Sequence, residues 1–270
     1  MAGRFLLGTQ GWNHPGWSGS FYPHNAKISD FLDVYTRAFP TVEIDSTFYA
    51  IPAEPVVAGW RERAPAGFTF ALKVPQEITH ERRLVDVEPR LTRFLKRVSL
   101  LEDRLGPLLA QLSPDFRVTD ATRAILRDFV NSLPSGFQWA IEFRQPHWLT
   151  PDVLDLLRSR NVALVLTEGR WIKRAVVLDQ ALEPTANFGY ARWTAPARKA
   201  HPAALAVDRH RELSTWAAAL KPLAEQVDVV YGYFSNQFQG HAPGSARQMQ
   251  RLLGIDPVEP SMLREQAELF

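Results

Sequence analysis

The feature that most restricts the fold is a rhythm. Short runs rich in β-branched and aromatic residues alternate with amphipathic stretches along the whole sequence, the pattern of βα units wound around a parallel sheet. Eight such runs fall at 5–10, 41–45, 68–74, 108–112, 138–144, 162–167, 188–193 and 227–235. Between them lie helical segments such as 29–39, 89–104, 119–133, 151–160 and 209–226. Several begin with helix-start chemistry: Ser29 precedes Asp30, Thr119-Asp120 opens the third, and Thr150 precedes Pro151. Eight strands in 270 residues predict one α/β domain over 1–270, a TIM-type (β/α)8 barrel, which typically needs about 250 residues. The sixth unit is irregular. Its connection, 168–186, is too mixed for a clear helix, and the count of eight holds only if it is a crossover. After the seventh strand, 194–207 contains Pro196, Arg198, Lys199, His201 and Pro202 and reads as a long loop.

Composition removes several classes of function. With no cysteine, disulfides, thiolate zinc sites and a thiol nucleophile are excluded together. The N-terminus has only a brief apolar run, Phe5 to Leu7, and no stretch approaches the roughly 20 apolar residues of a spanning helix, so a cytoplasmic protein with no membrane partner is expected. The formal charge is +2, and 25 Arg against 6 Lys are dispersed through the chain; this gives no support to nucleic-acid binding, which normally shows a clustered basic footprint.

Barrel strands are buried on both faces, so charge within them needs a reason. In 41–45, alternation puts Glu43 and Asp45 on one face and Val42 and Ile44 on the other, turning the carboxylates inward. Lys73 ends the third strand in phase with Thr69 and Ala71, and Glu142 and Arg144 share the face of Ala140. Gln10, Gln111, Arg192 and Asn236 close four further strands. All lie toward carboxyl-terminal strand ends, where barrel enzymes place their sites. A neutralised network that merely plugs the barrel is the structural alternative. Aromatic residues crowd the same end: Trp12 in the first loop, Tyr49 after strand two and Trp148 after strand five. Such rings either stack on a ligand or cap the barrel. His80, shortly after strand three, is a further acid/base candidate. No metal site is expected, because Glu43, Asp45, His80 and Glu142 lack a ligand spacing and Lys73 and Arg144 would repel a cation.

Several blocks, in order, carry a resemblance: Gly8-Thr9-Gln10-Gly11-Trp12, the run from Val42 to Tyr49, Lys73-Val74-Pro75 through His80, Leu109 through Pro114, Glu142-Phe143-Arg144 through Trp148, and Tyr233-Phe234-Ser235-Asn236. Together they resemble the YecE-like family, domain of unknown function 72. The resemblance implies a TIM-type barrel and brings no established activity, cofactor or substrate. The sequence departs from the family pattern at His14, at Glu168 where an Asp is common, and at Thr194, which stands in place of a histidine after strand seven.

The expected function is acid/base chemistry on a small anionic or phosphorylated sugar- or nucleotide-like substrate. Glu43, Lys73, His80 and Glu142 are the catalytic candidates; Gln10, Trp12, Asp45, Tyr49, Gln111, Arg144, Trp148, Arg192 and Asn236 are the binding candidates. Whether the reaction is hydrolysis, elimination or isomerisation stays open, and no cofactor is evident. The rival readings are a non-catalytic barrel holding a ligand or nucleic-acid end, and, by fold analogy alone, metal-dependent phosphodiester or sugar chemistry.

Overall fold

The computed structural model describes residues 3–194 and 204–265. Its eight strands are β1 (Arg4–Thr9), β2 (Thr41–Ile44), β3 (Thr69–Lys73), β4 (Leu105–Gln111), β5 (Trp139–Glu142), β6 (Val162–Glu168), β7 (Phe188–Trp193) and β8 (Val229–Phe234). All neighbours pair in parallel, in the order β1-β8-β7-β6-β5-β4-β3-β2. Helices follow the strands: α1 (Phe31–Ala38), α2 (Glu54–Arg63), α3 (Glu88–Val98), α4 (Asp120–Ser132), α5 (Pro151–Ser159), α6 (Arg174–Asp179) and α7 (His210–Gln226). After β8 come α8 (Asn236–Gln239), α9 (Ala242–Leu252) and α10 (Pro260–Glu265). The irregular sixth connection is therefore a crossover, with a six-residue helix and a short 3₁₀ turn. Of the three helix starts read from sequence, Thr119 is a true cap: its Oγ1 accepts from Thr122 N at 3.1 Å while Thr122 Oγ1 accepts from Thr119 N at 2.9 Å.

The barrel closes irregularly between β1 and β2. Their contact at the top is a bridge between Gln10 and Glu43, with Gly11 N donating to Glu43 O at 2.8 Å. Below it the Tyr35 hydroxyl of α1 enters the seam, accepting from Thr9 N at 2.9 Å and donating to Thr41 O at 3.0 Å. Gly8 makes this approach possible, since a Cβ there would lie 2.0 Å from Thr41 O.

Strand alternation sorts the side chains into two cores. Val42, Ile44, Leu72, Leu108, Ile141 and Val230 face the helices. Inside the barrel, Ala71, Ala140 and Ala163 make room beside Tyr190, Tyr231 and Tyr233, and Leu109, Val165, Phe188 and Val229 complete the filling. Above this interior layer the same inward phase delivers the polar strand ends.

Candidate functional site

Arg192 is the centre of the charged layer. It is 3 % exposed and Glu43 is 0 % exposed. Arg192 Nη2 donates to Glu43 Oε1 at 2.6 Å and Nε to Oε2 at 2.9 Å, a two-pronged contact, while Nη1 donates to Glu142 Oε2 at 2.6 Å. Tyr190, two residues earlier on the same face, donates its hydroxyl to Glu43 Oε2 at 2.6 Å. Asp45 stands at the edge, its Oδ1 3.5 Å from Arg192 Nη2. A second chain of contacts runs across β4 and β5: Gln111 Nε2 donates to Glu142 Oε1 at 2.8 Å, and Arg144 Nη2 donates to Gln111 Oε1 at 2.6 Å.

These groups form one side of an open cleft of about 590 Å³. Gln10 reaches it from β1, Lys73 from β3, Gln111 from β4, Glu142 and Arg144 from β5 and beyond, and Arg192 and Thr194 from β7. The loop after β6 adds Arg170 and Trp171, and Gln237 comes from the turn after β8. Among the described residues, four basic side chains thus share the cleft with one carboxylate, Glu142. Glu43 is not among the lining groups; it lies against Arg192 and fixes it. Among the described residues, two buried wall atoms, Gln10 Nε2 and Arg144 Nε, make no hydrogen bond, although a buried donor normally finds an acceptor; the nearest carboxylate oxygen to Arg144 Nε is Glu142 Oε1 at 3.9 Å.

The two glutamates are electrostatically unlike. Burial pushes Glu43 up to about 7, with Arg192 pulling down and Asp45 adding to the rise. Burial also opposes the charge on Glu142, but Arg192 and Arg144 together hold its carboxyl below the usual range. Burial, then the neighbouring Arg192 charge, lowers the Lys73 ammonium, and Asp45, Glu142 and Glu43 act against this. The Lys73 Nζ lies 3.7 Å from the centre of the Phe48 ring. His80 sits in a π-helical turn, Glu77–Glu81, packed edge-on against Phe48, with Nδ1 2.9 Å from Thr79 Oγ1. Burial and then the charges of Arg144 and Lys73 push its imidazole down to about 4, so it is neutral at pH 7.

Six of the residues expected from sequence, Gln10, Lys73, Gln111, Glu142, Arg144 and Arg192, line one cleft. Glu43 and Asp45 join them through Arg192, and His80 stands beside Lys73 and Arg144 closely enough for their charges to act on it. Four others are placed elsewhere. Trp148 is buried between Phe116 and Phe143, its Nε1 donating to Phe116 O at 2.8 Å. Trp12 packs on Trp60 and Phe70. Asn236 accepts from Trp17 Nε1 at 2.9 Å and Ala242 N at 3.0 Å, which secures the turn into α9. Tyr49 is 74 % exposed on a neighbouring groove. Four residues that were not candidates from sequence belong to the site: Tyr190, readable from its phase with Arg192; Arg170-Trp171, an Arg-Trp pair in the aperiodic sixth loop; and Gln237, next to Asn236 in α8. Glu168 holds that loop in place by accepting from both Arg174 and Trp216 Nε1. His14 packs beside Trp17 in the first loop. Pro196, Arg198, Lys199, His201 and Pro202 lie outside the described residues.

Among the described residues, no group of three or more His, Cys, Asp or Glu is arranged to hold a metal ion, and no helix is long and apolar enough to cross a membrane.

Fold and site together define a (β/α)8-barrel protein with a charged cleft at the carboxyl ends of its strands. The chain belongs to the family described as Protein of unknown function DUF72, which matches residues 6–268. It is 34% identical over 181 residues to the protein YecE of Escherichia coli (strain K12), a match spanning 65% of this chain and 63% of YecE. To YunF of Bacillus subtilis (strain 168) it is 26% identical, covering 93% of this chain and 95% of that protein. A crystal structure of a DUF72 family protein from Thermotoga maritima superposes with a TM-score of 0.78 at 23% identity, over 93% of this chain and 99% of the other. That likeness is one of fold.

Proposed function

We propose that the cleft binds a small anionic or phosphorylated sugar- or nucleotide-like substrate and performs acid/base chemistry on it. The observation that carries this reading is the convergence of Lys73, Arg144 and Arg192 from three different strands around the single carboxylate of Glu142, in a cleft roomy enough for a small ligand. Arg192 is already committed to Glu43 and Glu142, and Arg144 meets Glu142 only at 3.9 Å, so the charge available to a guest comes chiefly from Arg144 and Arg170, with Lys73 beside them. The unsatisfied Nε of Arg144 and Nε2 of Gln10 supply donors for its oxygens. Trp171, 39 % exposed at the rim, carries the Arg170 guanidinium 4.4 Å from its ring centre and the Arg144 guanidinium at 5.8 Å, which gathers both charges at the cleft. Glu142, held ionised by its two arginines, is the proton acceptor of this scheme. Glu43 acts through Arg192 as a positioning residue. Lys73 and His80 complete the proton-transfer groups.

A thermal-shift screen of phosphorylated sugars and nucleotides tests the reading on wild type, Lys73→Ala and Arg144→Ala. At least one compound is expected to stabilise the wild type, with the shift reduced in both variants. Stabilisation unaffected by either substitution would refute the assigned site. Glu142→Gln then separates an enzyme from a binding barrel: turnover is lost with binding kept in the first case, whereas in the second there is no turnover to lose.

A further inference from the structure

We infer that Lys73 is an amine nucleophile, forming an imine with the carbonyl carbon of an anionic aldehyde or ketone held in the cleft. This rests on the anion-binding reading above and names the reactive group of the substrate. The geometry distinguishes Lys73 from the other lysines of the chain. Lys27, Lys96, Lys173 and Lys221 are exposed, and Lys199 lies outside the described residues. Lys73 ends strand β3, its carbonyl accepts from Thr47 Oγ1 at 2.7 Å, and its backbone is fixed by the β3–β4 pairing opposite Leu109. Among the described residues its Nζ makes no ion pair and no hydrogen bond. It faces the cleft with the Phe48 ring against one side. A lysine meant only to neutralise a carboxylate would contact one, as Arg192 contacts three.

An amine becomes nucleophilic when its surroundings disfavour the ammonium form, and desolvation beside another cation is the usual means. Lys73 has both, through burial and Arg192, while Asp45, Glu142 and Glu43 moderate the effect. The step balances without a further reactant. The neutral amine nitrogen attacks the carbonyl carbon, the C=O π pair moves to oxygen, and a proton shift gives a carbinolamine. Protonation of its hydroxyl lets water leave as the nitrogen lone pair forms the C=N bond; added water reverses the sequence. Glu142 lines the same cleft and is placed to move these protons. Arg144 and Arg170 hold the anionic group.

Pyridoxal 5′-phosphate, an aldehyde carrying a phosphate, is the test reagent. The full chain is incubated with a limiting amount, the imine is reduced with borohydride, which delivers hydride to its carbon, and the labelled lysine is located by peptide mapping. Because a lowered pKa raises the fraction of free amine, and Arg144 and Arg170 stand in the same cleft to hold the phosphate, Lys73 should be labelled about tenfold faster than Lys27, Lys96, Lys173 or Lys221. Inorganic phosphate should slow that labelling, Arg144→Ala should lower it, and Lys73→Arg should abolish it at this site. Labelling of Lys73 no faster than of Lys27 would overturn the inference. In that event a phosphate-induced thermal shift that is smaller in Arg144→Ala would show that the anion site stands and only the imine fails; no shift in either protein would remove both.

Discussion

The two ends of the barrel interior solve the problem of filling the same closed sheet in opposite ways. Toward the amino-terminal ends of the strands, Phe188, Val229 and Val165 pack with small alanines, and a polar group such as the Tyr231 hydroxyl is satisfied locally by Gln138 Oε1 at 3.2 Å. At the carboxyl ends the same inward phase carries Glu43, Lys73, Gln111, Glu142 and Arg192. The charged end is itself of two kinds. Arg192 is fully buried and ligated by two glutamates, as a structural ion must be, whereas at the cleft Arg144 meets Glu142 only at 3.9 Å and Lys73 meets no carboxylate among the described residues. Burial of charge alone therefore does not mark a ligand site in this molecule. Incomplete pairing of charge beside open volume does.

The largest effect is expected where a structural ion loses its partner. Glu43→Ala leaves Arg192 without its main counter-charge and should destabilise the protein by about 3–5 kcal/mol in urea unfolding. If it costs no more than a surface substitution, Arg192 and Glu43 are not the fixed half of the site. Next comes pH. His80 and His241, the buried cap of α9 whose Nδ1 accepts from Gly244 N at 3.3 Å, are both pushed down to about 4, each by burial first; then by Arg144 and Lys73 for His80, and by Arg247 for His241. A depressed folded-state pKa means that the unfolded chain binds more protons between about 6.5 and 4, so their contribution is full above pH 6.5 and is lost as pH falls toward 4. Urea midpoints measured across that range should drop, and His241→Gln should flatten the drop; an unchanged slope in that variant contradicts a neutral buried His241.

A smaller change is expected at the apolar end. Tyr231→Phe removes one hydrogen bond and should cost about 0.5–1.5 kcal/mol without altering anion-induced thermal shifts. The smallest change in stability belongs to Lys73→Met, within about 1 kcal/mol of wild type because no partner is left unpaired. It should nevertheless reduce the anion-induced shift, so that stability and binding separate. A Lys73→Met variant as unstable as Glu43→Ala would erase the distinction between the two kinds of charge.

Much of this contrast was legible in the sequence, because strands obey a period of two. The inward phase of Glu43, Lys73, Glu142 and Arg192 follows from alternation once the strands are placed, and all eight expected strands have a counterpart in the sheet. Loops have no such period. Trp12 and Trp148 could equally face the mouth or the helical layer, and local packing partners and backbone acceptors settled both in favour of packing. Asn236 was consumed by a turn for the same reason. Arg170 and Trp171 were hidden because their loop joins an aperiodic segment whose course depends on a distant tether, Glu168 to Arg174 and Trp216. Nor could alternation tell that Glu43 would face Arg192 while Lys73 would face open volume, since that depends on which strands stand across the barrel.

The central claim is that the excess of basic groups over carboxylate around Lys73 and Arg144 binds one small anion in the cleft. Crystals soaked in tungstate, a heavy oxyanion with the shape and charge sense of phosphate, test it most directly. The account predicts an anomalous peak within hydrogen-bonding reach of the Lys73 ammonium and the Arg144 guanidinium, absent in Arg144→Ala crystals. An empty cleft in wild-type crystals that hold tungstate at other positions would contradict it.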